Sequence, residues 1–113
     1  MRFILLALAF LGLVPSAEAQ QRTRLTVYTA LENEQLAPFK QAAEAALRDV
    51  EIAWVRDSTG VITARLIAEK ANPRADLVWG LSVFSLLQME AQDMLEPYTP
   101  RDAEALRPNM RSA

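Results

Sequence analysis

Three short segments carry the small and hydroxyl side chains that could hold a ligand. They are Thr29-Ala30-Leu31, Asp57-Ser58-Thr59-Gly60 and Gly80-Leu81-Ser82, and each follows an apolar run that is typical of a strand. Hydroxyl groups donate hydrogen bonds without adding charge, and a glycine lets the backbone approach a ligand closely. Next to the N-terminal ends of helices, these residues suit a phosphate-like or carboxylate-like anion.

The second segment also has a purely local interpretation. Ser58 or Thr59 could cap the helix that follows, because Ser and Thr are among the preferred N-cap residues. The tetrapeptide alone favours this cap over an anion site.

The composition excludes several kinds of catalytic and metal site. The 113 residues contain no cysteine and no histidine, so Cys nucleophiles, Ser-His-Asp triads and His-ligated or Cys-ligated zinc are ruled out. The net charge of −2 gives no electrostatic reason to expect a nucleic-acid partner. We therefore expect no catalytic residue, no metal ligand and no cofactor. An exported enzyme with Asp57 or Glu32 as a base stays an alternative, although nothing pairs those carboxylates with a nucleophile.

The first nineteen residues have the order of features expected of an export signal. Arg2 precedes an apolar run over residues 3–14, and the small residues Ala17 and Ala19 follow it. The run is too short to span a bilayer comfortably. The sequence predicts residues 1–19 to be a signal peptide cleaved after Ala19 and the mature protein to be exported, with a retained, uncleaved anchor as the alternative.

Strand patterns alternate with helix patterns along the rest of the chain. Strands are predicted at residues 25–30, 50–55 and 76–79, and helices at residues 32–47, 61–71 and 82–94. The third helix carries an apolar stripe made of Phe84, Leu87, Ala91 and Met94. This order predicts an α/β fold with a parallel sheet covered on both faces, so that the three segments meet at the carboxyl edge of the sheet. Three strands make a thin sheet, and we expect the lobe to be incomplete.

Three stretches together resemble one family of transport proteins. "LTVYTALENEQ" (residues 25–35), "WVRDSTGVITARLIAEK" (residues 54–70) and "ADLVWG" (residues 75–80) are similar to the periplasmic solute-binding proteins of ABC importers. Within that family they look most like the 2-aminoethylphosphonate-binding branch, which is related to ferric-iron binders. The resemblance covers nearly all of residues 25–100. It implies a type II periplasmic binding protein-like fold, in which residues 20–113 form the N-terminal part of the first lobe and the second lobe is absent.

The resemblance also implies a function and a set of ligand contacts. The protein would bind a small organophosphonate anion and deliver it to a membrane permease, without enzymatic activity. Ser58, Thr59 and Gly60 would hold the phosphonate, Thr29, Ala30 and Gly80 would line the rim, and Glu32 would contact an ammonium group. Ferric-iron binders carry a histidine after the first strand and an acidic residue after the third, where this chain has Glu32 and Leu81. Iron transport and a truncated, non-functional exported product stay as alternatives.

Overall fold

The computed structural model describes residues 21–111. The predicted signal peptide lies outside the described residues. Within residues 21–111, no helix is long and apolar enough to cross a membrane.

The described chain alternates strands and helices as the sequence predicts. Its strands are β1 (Thr23–Thr29), β2 (Val50–Arg56) and β3 (Leu77–Trp79), and its helices are α1 (Asn33–Ala46), α2 (Thr59–Ala68) and α3 (Val83–Glu90). Two short 3-10 turns, Ala103–Ala105 and Pro108–Met110, follow. The predicted α/β class is confirmed.

β1 is the central strand of a parallel sheet with the order β2-β1-β3. Val27 lies opposite Trp54 on β2 and Leu77 on β3, so the carboxyl ends of the three strands reach the same edge. Asp76 begins the β3 pairing: its N–H donates to Thr26 O (2.9 Å), and its carboxylate accepts from Thr26 N–H (2.7 Å). The last three residues of β1 are buried because neighbouring strands flank them on both sides.

One face of the sheet is covered by α2 and α3. Tyr28 points to this face and forms a buried cluster with Ile62 and Leu66 of α2 and Met89 of α3. Ile62 and Leu66 are buried, and Ile67 of the same helix is half-buried. Complete burial of side chains of this size stabilises a fold by about 1.5–3 kcal/mol each relative to exposure.

The opposite face is covered by α1. Phe39 of α1 packs on Trp79 with ring centroids 5.1 Å apart, and Trp54 lies 5.4 Å from the same ring. α1 also covers the outer edge of β2: Lys40 donates to Ile52 O (2.7 Å), and the Glu44 carboxylate accepts from Ile52 N–H (2.8 Å). These side chains block the pairing groups that an edge strand otherwise exposes.

The predicted apolar stripe of the third helix is wrong for Phe84, Leu87 and Ala91, which are exposed, whereas Met94 is half-buried and packs against the core. Phe84 is 86% exposed and Leu87 is 53% exposed, whereas Ser85 and Met89 are the buried residues of α3. The side of α3 that faces inward instead carries Met89 and Leu86, which pack against the core, and Ser85, whose hydroxyl lies 2.9 Å from that of Thr63 on α2. The helix is also shorter than predicted, since residue Asp93, with φ 53°, ends the turn that follows it.

The second helix begins two residues earlier than the sequence predicts. α2 starts at Thr59 instead of residue 61, with Ser58 at the N-cap, and it ends at Ala68 instead of residue 71. Thr59 and Gly60 therefore form the first turn of the helix rather than a loop that precedes it.

Tyr28 connects the sheet to the end of α2 through a part-buried polar chain. Its hydroxyl donates to Glu69 Oε2 (2.8 Å), and Glu69 Oε1 accepts from Arg65 Nε (3.0 Å). The Arg65 guanidinium lies 4.9 Å from the centre of the Tyr28 ring. The hydrogen bond from Arg65, with that from Tyr28, holds the pKa of Glu69 below its usual range. Burial and the same hydrogen bond raise the pKa of Tyr28.

We expect Glu69→Gln to remove an acid-sensitive part of the stability. Because the pKa of Glu69 is lower in the folded chain, its contribution is present above the unfolded-state pKa of about 4.3 and is lost as the pH falls through the folded value. The urea midpoint of Glu69→Gln should lie below that of wild type at pH 7, and the gap should narrow toward pH 3. Glu51→Gln, on the exposed side of β2, is the control for a lost carboxylate. A gap that is equal at both pH values would contradict this account.

Candidate functional site

The three predicted segments meet at the carboxyl edge of the sheet, which we call the rim. Thr29 ends β1 and is fully buried. Its carbonyl oxygen accepts from Asp57 N–H (3.2 Å), which joins the first segment to the second. Its hydroxyl accepts from Leu31 N–H (3.1 Å), which turns the chain away from the strand. Thr29 therefore shapes the rim from inside, and Ala30 beside it is half-buried.

Arg56, the last residue of β2, makes a second connection between the segments. Its Nε donates to Leu31 O (3.0 Å), and its Nη2 lies 3.1 Å from Glu32 Oε2. Glu32 is the N-cap of α1, and its N–H donates to the Gln35 side chain (3.0 Å). Glu32, which the sequence predicted to contact an ammonium group of the ligand, is thus paired with the Arg56 guanidinium at the rim. Its side chain is nevertheless 73% exposed.

Gly80 brings the third segment against the first. Its φ is +73°, a conformation that favours glycine, and a Cβ at this position would lie 2.6 Å from the Leu31 side chain. Leu31 therefore touches both other segments, through Arg56 and through Gly80. The sequence prediction missed Leu31 and Arg56 as organising residues; the only signal was their position next to the hydroxyl and glycine residues.

The first turn of α2 presents backbone donors at the rim. The first intrahelical bond runs from Ile62 N–H to Ser58 O (3.0 Å), so the N–H groups of Thr59, Gly60 and Val61 precede it. Ser58 is exposed, and its side chain makes no capping hydrogen bond to the helix. Its own N–H donates to Asp57 Oδ1 (2.7 Å). No heavy atom lies within 4 Å of a Cβ built on Gly60, so the space above it is open.

α3 begins differently, although it also has a serine at the N-cap. Ser82 Oγ accepts from Ser85 N–H (3.3 Å), so this hydroxyl satisfies one of the donors of its own helix. Within the described residues, Ser58 has the position of a cap without that bond. Ser58 and the first turn of α2 therefore have free hydrogen-bonding capacity at the rim, and so do the N–H groups of Val83 and Phe84 at the start of α3.

Acidic side chains do not assemble into a metal site in the part of the chain that the structure describes. Among residues 21–111, no group of three acidic residues is arranged so that it could hold a metal ion. Glu32 and Asp57 are instead engaged with Arg56 and with Ser58 N–H, respectively.

Sequence comparison finds relatives, one of which is described as a periplasmic-binding protein. No family model matches the chain. The chain is 32% identical over 89 residues to the probable ABC transporter periplasmic-binding protein y4fP of Sinorhizobium fredii, an alignment that covers 79% of this chain and 24% of that protein. An uncharacterised protein of Haemophilus influenzae is 30% identical over 100 residues, which cover 88% of this chain and 29% of that protein.

Two solved structures share the fold. The periplasmic binding protein P5PA matches with a TM-score of 0.71 and 30% identity, over 78% of this chain and 28% of that one. AfuA from Actinobacillus pleuropneumoniae, a periplasmic binding protein with exogenous fructose-6-phosphate bound, matches with a TM-score of 0.71 and 26% identity, over 77% of this chain and 27% of that one. The chain is related to periplasmic binding proteins. These relatives are transport components rather than enzymes, and the chain spans roughly a quarter of their length.

Substitution of the two rim glycines should have opposite effects on stability. Gly80→Ala should destabilise the fold by at least about 1–2 kcal/mol, because a residue with a Cβ is strained at positive φ and would also clash with Leu31. Gly60→Ala should be neutral or stabilise by up to about 1 kcal/mol, because it lies in open space in a helix. Urea unfolding of both variants measures the difference.

The double variant Gly80→Ala/Leu31→Ala separates the two costs at Gly80. Removing the Leu31 side chain relieves the clash but leaves the strained backbone, so we expect partial recovery relative to the two single variants. Purely additive losses would show that contact between Leu31 and Gly80 does not limit the third segment.

Proposed function

We propose that residues 20–113 belong to the ligand-binding lobe of a periplasmic solute-binding protein, and that the rim binds a small anion, with 2-aminoethylphosphonate-like organophosphonates as the ligand class. The observation that carries this proposal is the start of α2, where three backbone N–H groups and the Ser58 hydroxyl are available and the space at Gly60 is open. Thr29, Ala30 and Gly80 complete the rim around these donors.

Elementary electrostatics favours an anion at this position. A helix N-terminus carries about half a positive charge, and one anion contact there contributes about 0.3–1 kcal/mol when exposed and up to about 2 kcal/mol when partly buried. Several backbone donors converge on the same point, which suits a group with several acceptor oxygens. A tetrahedral phosphonate or phosphate meets that requirement better than a neutral ligand.

Two further observations support a phosphorus-containing ligand that also carries an amine. AfuA, a structural relative, was solved with a sugar phosphate. In this chain, Glu32 places an exposed carboxylate at the same rim, where an ammonium group of the ligand could approach it. Because Glu32 also pairs with Arg56, the amine contact is the weaker part of the assignment.

The same proposal covers export and partners. Residues 1–19 act as a cleaved signal peptide, the mature protein acts in the periplasm, and it delivers its ligand to the membrane permease of an ABC importer. The described residues form part of the first of two lobes, which close over the ligand by a hinge motion. Relatives roughly four times as long as the matched region support this division.

Gly60→Asp tests the anion site without weakening the helix. A carboxylate in the first turn is favourable for α2 because of the helix dipole, but it repels an anionic ligand at the same place. We expect at least a tenfold loss of affinity for 2-aminoethylphosphonate and for inorganic phosphate, about 1.4 kcal/mol, with stability unchanged or higher. NMR titration of backbone amides measures the affinity, and urea unfolding measures the stability.

The matched control is Gln41→Glu, which adds the same charge on the exposed side of α1. It should change affinity by less than twofold, because surface charges beyond about 10 Å are largely screened at 0.1 M salt. Equal losses for both variants would assign the effect to net charge and would contradict the proposed position.

The 113-residue chain alone should bind these anions only weakly. If a complete receptor binds at about 1 μM and half of the binding free energy comes from the other lobe, about −4 kcal/mol is left, which corresponds to a millimolar dissociation constant. A micromolar constant measured for this chain alone would contradict the two-lobed model. The absence of any amide shift at 50 mM probe, roughly fiftyfold above that constant, would instead contradict the anion site.

A further inference from the structure

The outer edge of β3 offers free backbone groups to a further strand. Asp76 N–H donates to Thr26 O on β1, and backbone groups point alternately to the two sides along a strand. The N–H and C=O groups of Leu77 and Trp79 therefore point away from β1. Among residues 21–111, no strand pairs with this side of β3 and no side chain bonds to these groups. An edge of this kind is a template for strand addition.

The outer edge of β2, by contrast, is protected by charged side chains. Lys40 and Glu44 of α1 occupy the C=O and the N–H of Ile52. Such contacts prevent another strand from pairing at that edge. The charged residue at the start of β3, Asp76, instead turns its carboxylate inward to a backbone N–H of β1. The fold therefore leaves β3 as the edge that is open to pairing.

A groove of about 750 Å³ lies beside this open edge, between β3, α2 and α3. Leu77 of β3 lines it together with Leu66 and Met89 of the core. Leu95 and Tyr98, which follow α3, also line it and are 39% and 80% exposed. Charged side chains of both signs complete the lining. The groove therefore joins exposed apolar surface to free strand-pairing groups, a combination that suits an extended apolar segment.

The dimensions of the two layers favour a single strand as the occupant. Two helices side by side occupy about 20 Å of width, whereas three strands occupy only about 14 Å. α2 and α3 therefore extend past the three-stranded sheet by about one strand position, on the side where the groove lies. A second copy paired through its own β3 would bring another α3 into this space. A single extended segment needs only the one free position.

The chain carries an apolar segment that can reach this position. Residues 3–14, which lie outside the described residues, contain no charged or polar side chain. A strand buried on both faces has such a continuous apolar run. The eight residues 15–22 join this run to β1 and can span at most about 26–29 Å, whereas the new strand position lies about 10 Å from β1. Because the linker meets the amino end of β1, the segment would run antiparallel to β3.

We propose that residues 3–14 of the uncleaved chain dock in this groove as a strand on the outer edge of β3. Attachment through a short linker gives the segment a high effective concentration, so even a weak apolar contact forms within one molecule. The docked segment protects the free edge from pairing with other chains. Removal of residues 1–19 then exposes the edge. That last step rests on the cleavage in the proposed function, and the docking itself does not.

The test measures amide hydrogen exchange in the ¹⁵N-labelled 113-residue chain, made without export so that residues 1–19 stay attached. Leu8→Glu/Leu11→Glu places two charges in the docking segment. We expect the Leu77 and Trp79 amides of wild type to exchange at least about tenfold more slowly than those of this variant, because burial of the charges opposes docking. The Val78 amide, which points to β1, should exchange equally in both and reports that the fold is intact.

Gln20→Glu/Gln21→Glu is the matched control, because it adds the same two charges in the linker instead of the apolar run. It should keep the slow exchange. Leu77→Lys tests the groove itself: this side chain is 48% exposed, so the fold tolerates it, and the Trp79 amide should exchange about tenfold faster.

Equal exchange in wild type and in Leu8→Glu/Leu11→Glu overturns the proposal. Slow exchange that accompanies a dimer mass in light scattering also overturns it, because a second copy then covers the edge. No ligand is present in these measurements, so their outcome is independent of the anion site.

Discussion

β1 pairs with a strand on each side and helices cover both faces of the sheet, so its last three residues are buried. Val27 is apolar and needs no hydrogen-bond partner for its side chain, but Tyr28 and Thr29 carry hydroxyls that have lost contact with water. A buried polar group without a partner costs about 1–3 kcal/mol. Each hydroxyl has a hydrogen-bond partner in a different part of the fold, Glu69 for Tyr28 and Leu31 N–H for Thr29. These two contacts organise the rest of the described structure.

The Tyr28 hydroxyl reaches across to the end of α2, and the Thr29 hydroxyl stays at the rim. The contact of Tyr28 with Glu69 fixes the far end of α2 against the sheet, while the ring forms the core below. Thr29 accepts from Leu31, and Leu31 in turn contacts Arg56 and Gly80. One strand end thus determines the position of a helix and the spacing of three loops. Trp54 Nε1, by contrast, is buried without a partner among residues 21–111.

The sequence predicted these elements well where the spacing of apolar residues alone distinguishes a strand from a helix. Three strands, three helices and their order follow from alternation and helical spacing, and the meeting of three segments at one edge follows from parallel pairing. It failed for α3, because Phe84 and Leu87 are as apolar as Leu86 and Met89, and only the packing against the core distinguishes the side that is buried. Arg56 was equally hard to place, since its partners are 24 and 25 residues away in the chain.

The two serines that precede α2 and α3 differ in what their hydroxyl groups do for the helix that follows. Ser82 bonds to its own helix, and its hydroxyl also lies 3.0 Å from that of Ser85. Ser58 has the backbone conformation of an N-cap, with ψ 155°, yet its side chain leaves the first donors of α2 free. A helix that needed its cap for stability would use that hydroxyl, because the bond contributes about 1 kcal/mol. α2 is instead held by the contact of Thr63 with Ser85 of α3 and by the contact of Glu69 with Tyr28 of β1, so its first turn needs no side-chain cap.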